Sequence, residues 1–326
     1  MTAPMQLDGG IAFVLAALDA NADQAPPTDL AERRAAANAG LLAAGKPDTS
    51  VLDVTDTVVD GPGGPIAVRI HRPRGADGTL PGVLFVHGGG WFQGNLDTSE
   101  VEGGPLAADT PAVVVHLDYR LAPEHPYPAA LDDCRAVWDW LVGSASELGA
   151  DPERLAVAGV SAGGNLAAAL CLTLAAEGAP TPNVAVLGAP ALDLTLATLR
   201  NDPEVTALRE NERVEAFVEA IDEFAGMYLP DPARAAEPGA SPLLAPDLSG
   251  IPPTVVVVGE FDPLLADCEG FVARLHAAGV PATGVRLTGH SHGTWIMRWT
   301  PTAHLVSALM ASAVRDGTAG RYPRIG

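Results

Sequence analysis

Ser161 lies in the run Gly159-Val160-Ser161-Ala162-Gly163-Gly164, between an apolar stretch, Leu155 to Ala158, and an alanine-rich one. A serine held on so sharp a strand-to-helix turn adopts a strained backbone, and its neighbours two residues away must be nearly bare, which Gly159 and Gly163 supply. The turn pushes the hydroxyl out above the sheet. The helix that follows brings unpaired N–H groups and a partial positive charge, where an acyl-transfer oxyanion would need them. The chemistry implied is nucleophilic attack on an acyl carbon. With 35 glycines in the chain, small residues around a serine also arise by chance, so the motif needs partners.

A second motif, His87-Gly88-Gly89-Gly90-Trp91, follows the apolar run Val83 to Val86. Three glycines after a strand let the backbone bend and expose its amides, which can face a developing oxyanion from the side opposite the helix, with the Ala162 amide completing the hole. Two blander readings are a tight turn without substrate contact and a phosphate loop. The phosphate loop lacks the Lys and the Ser or Thr that its chemistry requires. Trp91 is expected to pack at the pocket wall.

A nucleophilic serine needs a base, and the base needs an acid to orient it. Asp262 stands in Gly259-Glu260-Phe261-Asp262-Pro263-Leu264, just after the apolar run Thr254 to Gly259, where parallel sheets place functional loops. Glu260 and Asp267 are its competitors. Gly289-His290-Ser291-His292-Gly293 follows an expected last strand, Gly284 to Leu287. His292, followed by glycine, is the better base, and His290 is a wall or supporting residue. Two histidines at i and i+2 also suit a metal, but no H-E-x-x-H and no cysteine pair accompanies them. No metal and no cofactor are expected, and the remaining histidines read as structural or exposed.

The elements that must position these residues are legible as alternation. Strands are expected at Val51 to Val59 and Ile66 to His71, joined by a hairpin at Gly61-Pro62-Gly63-Gly64, then at Val83 to His87, Ala112 to Leu117, Leu155 to Gly159, Val184 to Leu187 and Thr254 to Gly259. Helical stretches separate most of them, the signature of an α/β fold whose mostly parallel central sheet is flanked by helices. The first 45 or so residues look helical, with Asp29 and Glu32 spaced as a capping pair. About 60 residues between Gly188 and Thr254 form an insertion, in which Val214, Phe217, Val218, Ile221, Phe224 and Tyr228 share one helical face. That helix is either an ordinary surface helix or a lid over the site. The expected organisation is therefore an N-terminal helical part of a cap at 1–45, a first part of the core at 46–194, a cap insertion at 195–245 and a second part of the core at 246–326.

Composition bounds the rest. The 326 residues are 48% apolar, enough for a large core, and the net charge of −21 reflects scarce bases, Lys46 being the single lysine. Such a surface argues against nucleic acid and anionic membranes as partners. Cys134, Cys171 and Cys268 are far apart and read as reduced, buried thiols. The apolar run Ile11 to Ala17 has no basic residue before it, so it does not resemble a secretory signal, and no stretch reaches membrane-span length. A cytoplasmic location is the expectation. The apolar C-terminal helix, about Ala303 to Val314, is either a core element or the face of a homodimer.

His87-Gly88-Gly89-Gly90-Trp91, the stretch Asp118-Tyr119-Arg120-Leu121-Ala122-Pro123-Glu124-His125-Pro126, the Ser161 elbow, Ser241-Pro242-Leu243 and His292-Gly293 together resemble the hormone-sensitive-lipase-like family of α/β hydrolases, many of them bacterial carboxylesterases. The resemblance covers roughly residues 50 to 300. It implies the α/β-hydrolase fold with a helical cap, Ser161 as nucleophile, His292 as base, Asp262 as its partner, and the amides of Gly88, Gly89 and Ala162 as oxyanion hole. The Tyr119 to Glu124 segment would support the site. Val160 departs from the Asp, Glu or Thr usual before the nucleophile, and Thr294 from the common Phe. Trp295 and Trp299 then suggest an aromatic-rich pocket edge, giving Trp91, Val160, His290 and Trp295 as expected substrate contacts. The activity implied is hydrolysis of short to medium acyl esters through an acyl-enzyme. The alternatives are an amide, carbamate or lactone hydrolase with the same triad, or a non-catalytic binding protein on this scaffold.

Overall fold

The computed structural model describes residues 29–43, 45, 48–296 and 300–322. The expected helix before Asp29, including Ile11 to Ala17, and Trp299 lie outside them. Eight strands form one sheet: β1 (Leu52–Gly61), β2 (Gly64–Pro73), β3 (Leu80–Val86), β4 (Val113–Leu117), β5 (Ala150–Val160), β6 (Val184–Gly188), β7 (Thr254–Gly259) and β8 (Ala282–Leu287). Their order is β1-β2-β4-β3-β5-β6-β7-β8. The first two pairings, β1 with β2 and β2 with β4, are antiparallel, and every other pairing is parallel. Each residue of β3, β4, β6 and β7 is buried, as their unbroken Val, Leu and Ala runs require of strands covered on both faces. The hairpin closes where Gly61 pairs with Gly64, whose φ of 123° suits glycine alone.

One strand is longer than its apolar run. β5 begins at Ala150 because Ala150 pairs with Leu80 ahead of a register shift, so Asp151 to Arg154, none of them buried, continue the strand without facing the core. Apolar patterning alone marks only its buried second half.

Nine α-helices are described: α1 (Leu30–Ala43), α2 (Leu96–Asp109), α3 (Ala129–Ser144), α4 (Ala162–Glu177), α5 (Ala197–Asn201), α6 (Pro203–Leu208), α7 (Glu212–Tyr228), α8 (Leu265–Ala277) and α9 (Pro301–Thr318). Asp29 caps α1 by accepting the Glu32 N–H at 3.0 Å. The helix α7 buries Val214, Val218, Ile221 and Tyr228, the face its spacing predicts. The C-terminal helix α9 is a core element: Val306, Met310, Ala311 and Val314 are buried and pack with α2 and the central strands. All three cysteines are free and buried, and burial pushes the Cys171 thiol up to about 12. No described helix is long and apolar enough to cross a membrane.

Candidate active site

The strand β5 runs into α4 through Ser161, whose φ of 55° and ψ of −118° are strained for a residue with a Cβ. The strain is held from both sides, because Ser161 N–H donates to the Gly188 carbonyl at 2.7 Å and the Ser161 carbonyl accepts from Asn165 N–H at 3.0 Å. A Cβ on Gly163 would run into the carbonyls of Val86 and His87, and one on Gly159 into the Gly163 carbonyl. The two glycines therefore let the helix start against the end of β3. Asn165 adds a lock one turn into α4: its Nδ2 donates to the carbonyls of Ala191 and Ala240, both at 2.8 Å.

Three strand ends deliver three side chains to one line. From the loop after β8, His292 Nε2 lies 3.0 Å from Ser161 Oγ, and its Nδ1 lies 2.9 Å from Asp262 Oδ2 in the loop after β7. Asp262 is fully buried, and its second oxygen accepts the Leu264 N–H at 2.9 Å, which fixes the carboxylate plane. Asp262, not its competitors, meets the histidine. Glu260 accepts from Gly289 N–H at 2.9 Å, and Asp267 is buried against Asp193, with burial the main cause of a carboxyl pushed up to about 7. The phenyl ring of Phe217 on α7 lies 4.5 Å from the His292 ring. In chemical terms, Asp262 can orient the imidazole and stabilise its charged form, and Nε2 can take the hydroxyl proton.

The glycine loop departs from expectation at one position. Gly88 N–H donates to Glu102 Oε2 at 2.8 Å, so this amide is engaged and does not serve an oxyanion. Gly88 also does not line the cleft, whereas Gly89 and Gly90 do. Their φ values of 111° and 61° turn the chain so that, among the described residues, the amides of Gly89, Gly90 and Ala162 carry no hydrogen-bond partner. Three unpaired N–H groups are thus available around Ser161. Burial pushes the Glu102 carboxyl up to about 7 against the opposing pull of the Gly88 N–H and of His292.

The segment after β4 braces this loop from below. Tyr119 stacks on His87 at 4.2 Å and donates its hydroxyl hydrogen to the His87 carbonyl at 3.0 Å, while Ala122 N–H donates to the Trp91 carbonyl at 2.8 Å. Arg34 of α1 braces it from above, donating to the carbonyls of Phe92 and Ala122 at 2.7 Å each and pairing with Glu124. That guanidinium holds the Glu124 carboxyl down to about 2. Arg33 pairs with Glu223 through two bonds at 2.8 and 2.9 Å, which joins α1 to α7.

The cleft above Ser161 encloses about 340 Å³ and is walled by Leu41, Trp91, Phe217, Ile221, Phe224 and Leu264, among others. Of the expected contacts, Trp91 and Val160 line it. His290 and Trp295 do not. His290 is buried, its Nδ1 3.1 Å from Thr294 Oγ1, because the short helical turn Thr294–Ile296 directs that residue back toward the histidine. Trp295 lines a smaller cavity behind Val160, with its ring 6.4 Å from that of His292. The two histidines therefore diverge. Sequence reasoning missed Glu102, Leu41 and Gln93 as cleft residues, and only the apolar face of α7 signalled its wall.

Comparison with known proteins agrees with this fold. A family model described as alpha/beta hydrolase fold matches residues 83–296. The chain is 41% identical over 249 residues, 74% of its length, to a carboxylic ester hydrolase, LipN, of Mycobacterium tuberculosis, and spans 64% of that relative. It is 32% identical to an arylesterase of Saccharolobus solfataricus over 280 residues, 85% of this chain and 87% of the relative. Among solved structures, an esterase of Pyrobaculum calidifontis superposes with a TM-score of 0.85 at 31% identity, covering 97% of this chain and all of that one.

Proposed function

The chain belongs to the α/β-hydrolase family, in its hormone-sensitive-lipase-like branch, and from that premise we propose that it is a serine carboxylesterase acting on short to medium acyl esters. The observation that carries the reading is the hydrogen-bonded line from Asp262 through His292 to Ser161, set beside unpaired amides and an apolar cleft. Neutral His292 takes the hydroxyl proton at Nε2 as Ser161 Oγ attacks the ester carbonyl. The negative charge that develops on the carbonyl oxygen is met by the amides of Gly89, Gly90 and Ala162. The imidazolium, stabilised by Asp262, returns its proton to the departing alkoxide. A water activated by the same histidine then cleaves the acyl-enzyme, and no cofactor enters.

The length preference follows from the walls. Phe217, Ile221 and Phe224 of α7, with Leu41 of α1, close over a space at the small end of ligand pockets. Together α1 and α7 act as the cap, pinned by the Arg33–Glu223 pair. The test is hydrolysis of a chain-length series of nitrophenyl esters by the wild type beside Ser161→Ala. Turnover of acyl groups from acetyl to about octanoyl, lost in the variant, supports the reading. Turnover that survives in folded Ser161→Ala, or none at any length, overturns it.

A further inference from the structure

Among the described residues, Glu102 is the one ionisable side chain besides His292 that lines the cleft, and ester hydrolysis by the triad does not use it. It reaches in from α2. The same carboxyl also lines the small cavity behind the serine, with Val160, Trp295, Val306 and Met310, so it stands in the wall between two largely apolar spaces. Its Oε2 accepts the Gly88 N–H at 2.8 Å. Gly88 is itself tightly placed: a Cβ there would lie 3.1 Å from the Val160 carbonyl and 3.5 Å from Ser161 Cβ. The peptide that Glu102 grips therefore sits between the nucleophile and the next two glycines, whose amides are unpaired.

We propose that Glu102 is a positioning residue for ester hydrolysis, its ionised carboxylate holding the Gly88 N–H and thereby aiming the Gly89 and Gly90 amides at the oxygen that develops beside Ser161. The inference rests on the carboxylesterase reading. An ionised carboxylate accepts the Gly88 hydrogen bond more strongly than a protonated one, and its charge also favours the His292 imidazolium that forms during attack. Protonation of Glu102 therefore weakens both effects. Burial raises this carboxyl to about 7, so the change falls near neutral pH.

The groups facing Glu102 from each side agree with that assignment. The loop after β8 contributes His292, and the segment after β4 contributes Tyr119. From α9 come Ala303, Val306, Ser307 and Met310, none of them charged. On its own helix, Glu100 and Asp97 turn away to Arg69 and His71.

The test compares wild type, Glu102→Val and Glu102→Gln by pH profiles on one nitrophenyl ester, and follows the Gly88 amide resonance with pH. Glu102→Val should lower kcat by about 10- to 100-fold while KM moves less than about threefold, because the donors are mis-aimed rather than the cleft reshaped. Glu102→Gln, which keeps an acceptor for Gly88 but not the charge, should recover only part of that rate, to the level of the wild type with Glu102 protonated. Its acid limb should reflect one proton where the wild type shows two. The Gly88 resonance should titrate near neutrality in the wild type and stay flat in Glu102→Gln. If Glu102→Val fails to fold, the acid limb of Glu102→Gln decides. A folded Glu102→Val with unchanged kcat, a Glu102→Gln profile superimposable on the wild type, or a Gly88 resonance that ignores pH would each overturn the proposal. Absence of any wild-type turnover would instead sink the esterase reading, and the Gly88 resonance would still decide whether Glu102 grips the loop.

Discussion

Replacing Asp262 with asparagine isolates the orienting role of the buried carboxylate with almost no change of shape. The structure fixes how the amide must sit. The Leu264 N–H points at Oδ1 from 2.9 Å and requires an oxygen there, which leaves the new NH₂ where Oδ2 meets His292 Nδ1. Two donors cannot face one another, so the ring must put its proton on Nε2, and Nε2 is the atom 3.0 Å from Ser161 Oγ. A protonated Nε2 cannot accept the serine proton. Triads disoriented in this way lose about 10⁴-fold in kcat, or about 5 kcal/mol of transition-state stabilisation. The fold should hardly notice, because a buried charge is exchanged for a group of equal volume. Steady-state kinetics on a nitrophenyl ester, with thermal melting alongside, should show that loss in kcat, with Tm lowered by no more than about 2–4 °C. A folded Asp262→Asn enzyme that keeps more than about a tenth of its kcat would refute the reasoning.

Two further predictions concern the frame around the site. Arg34→Ala leaves the Phe92 and Ala122 carbonyls without their charged donor, so it should cost about 1–2 kcal/mol of stability and raise KM as α1 loosens over the cleft; denaturant titration and Michaelis kinetics check both, and an unchanged KM would dissociate α1 from substrate binding. His71 is fully buried against His116, with Glu100 Oε1 3.2 Å from Nε2 but out of line for a hydrogen bond, and burial pushes its pKa down to about 4. The unfolded chain takes up that proton first, near 6.5, so the contribution is complete above that pH and is lost as pH falls toward about 4, at most about 3 kcal/mol. His71→Phe should therefore lose less stability than the wild type between neutral pH and pH about 5, and equal losses in urea titrations would contradict the assignment.

Much of the site could be read before the fold was seen, because its chemistry restricts residue types at strand ends. The bare positions around Ser161 are demanded by carbonyls of the neighbouring strand, which is why Gly159 and Gly163 mark the turn so clearly. Asp262 follows the apolar run that is strand β7, and His292 follows the expected last strand, β8, so strand order alone brings their loops to the same edge. The identity of the free amides was not legible. Which of three consecutive glycines points its N–H at the cleft depends on the sign of φ at Gly89 and Gly90 and on an acceptor from α2, and neither is encoded within the motif. His290 and Trp295 lie off the cleft for a related reason. The loop after β8 reverses within a few residues, so Trp295 lines the smaller cavity behind Val160 and His290 is buried beside Thr294. The wall from α7 was readable as an apolar face, but that face does not name what it covers. Only the contacts of Phe217 with His292 and of Phe224 with Phe92 do.

The central claim is that Ser161 is the nucleophile, and covalent capture tests it most directly. The wild type is treated with an organophosphate nitrophenyl ester, digested, and its peptides weighed by mass spectrometry. One phosphoryl adduct is expected, on the peptide carrying Ser161, formed in step with loss of esterase activity and absent from Ser161→Ala. An adduct on any other residue, or full inactivation with Ser161 unmodified, would contradict it.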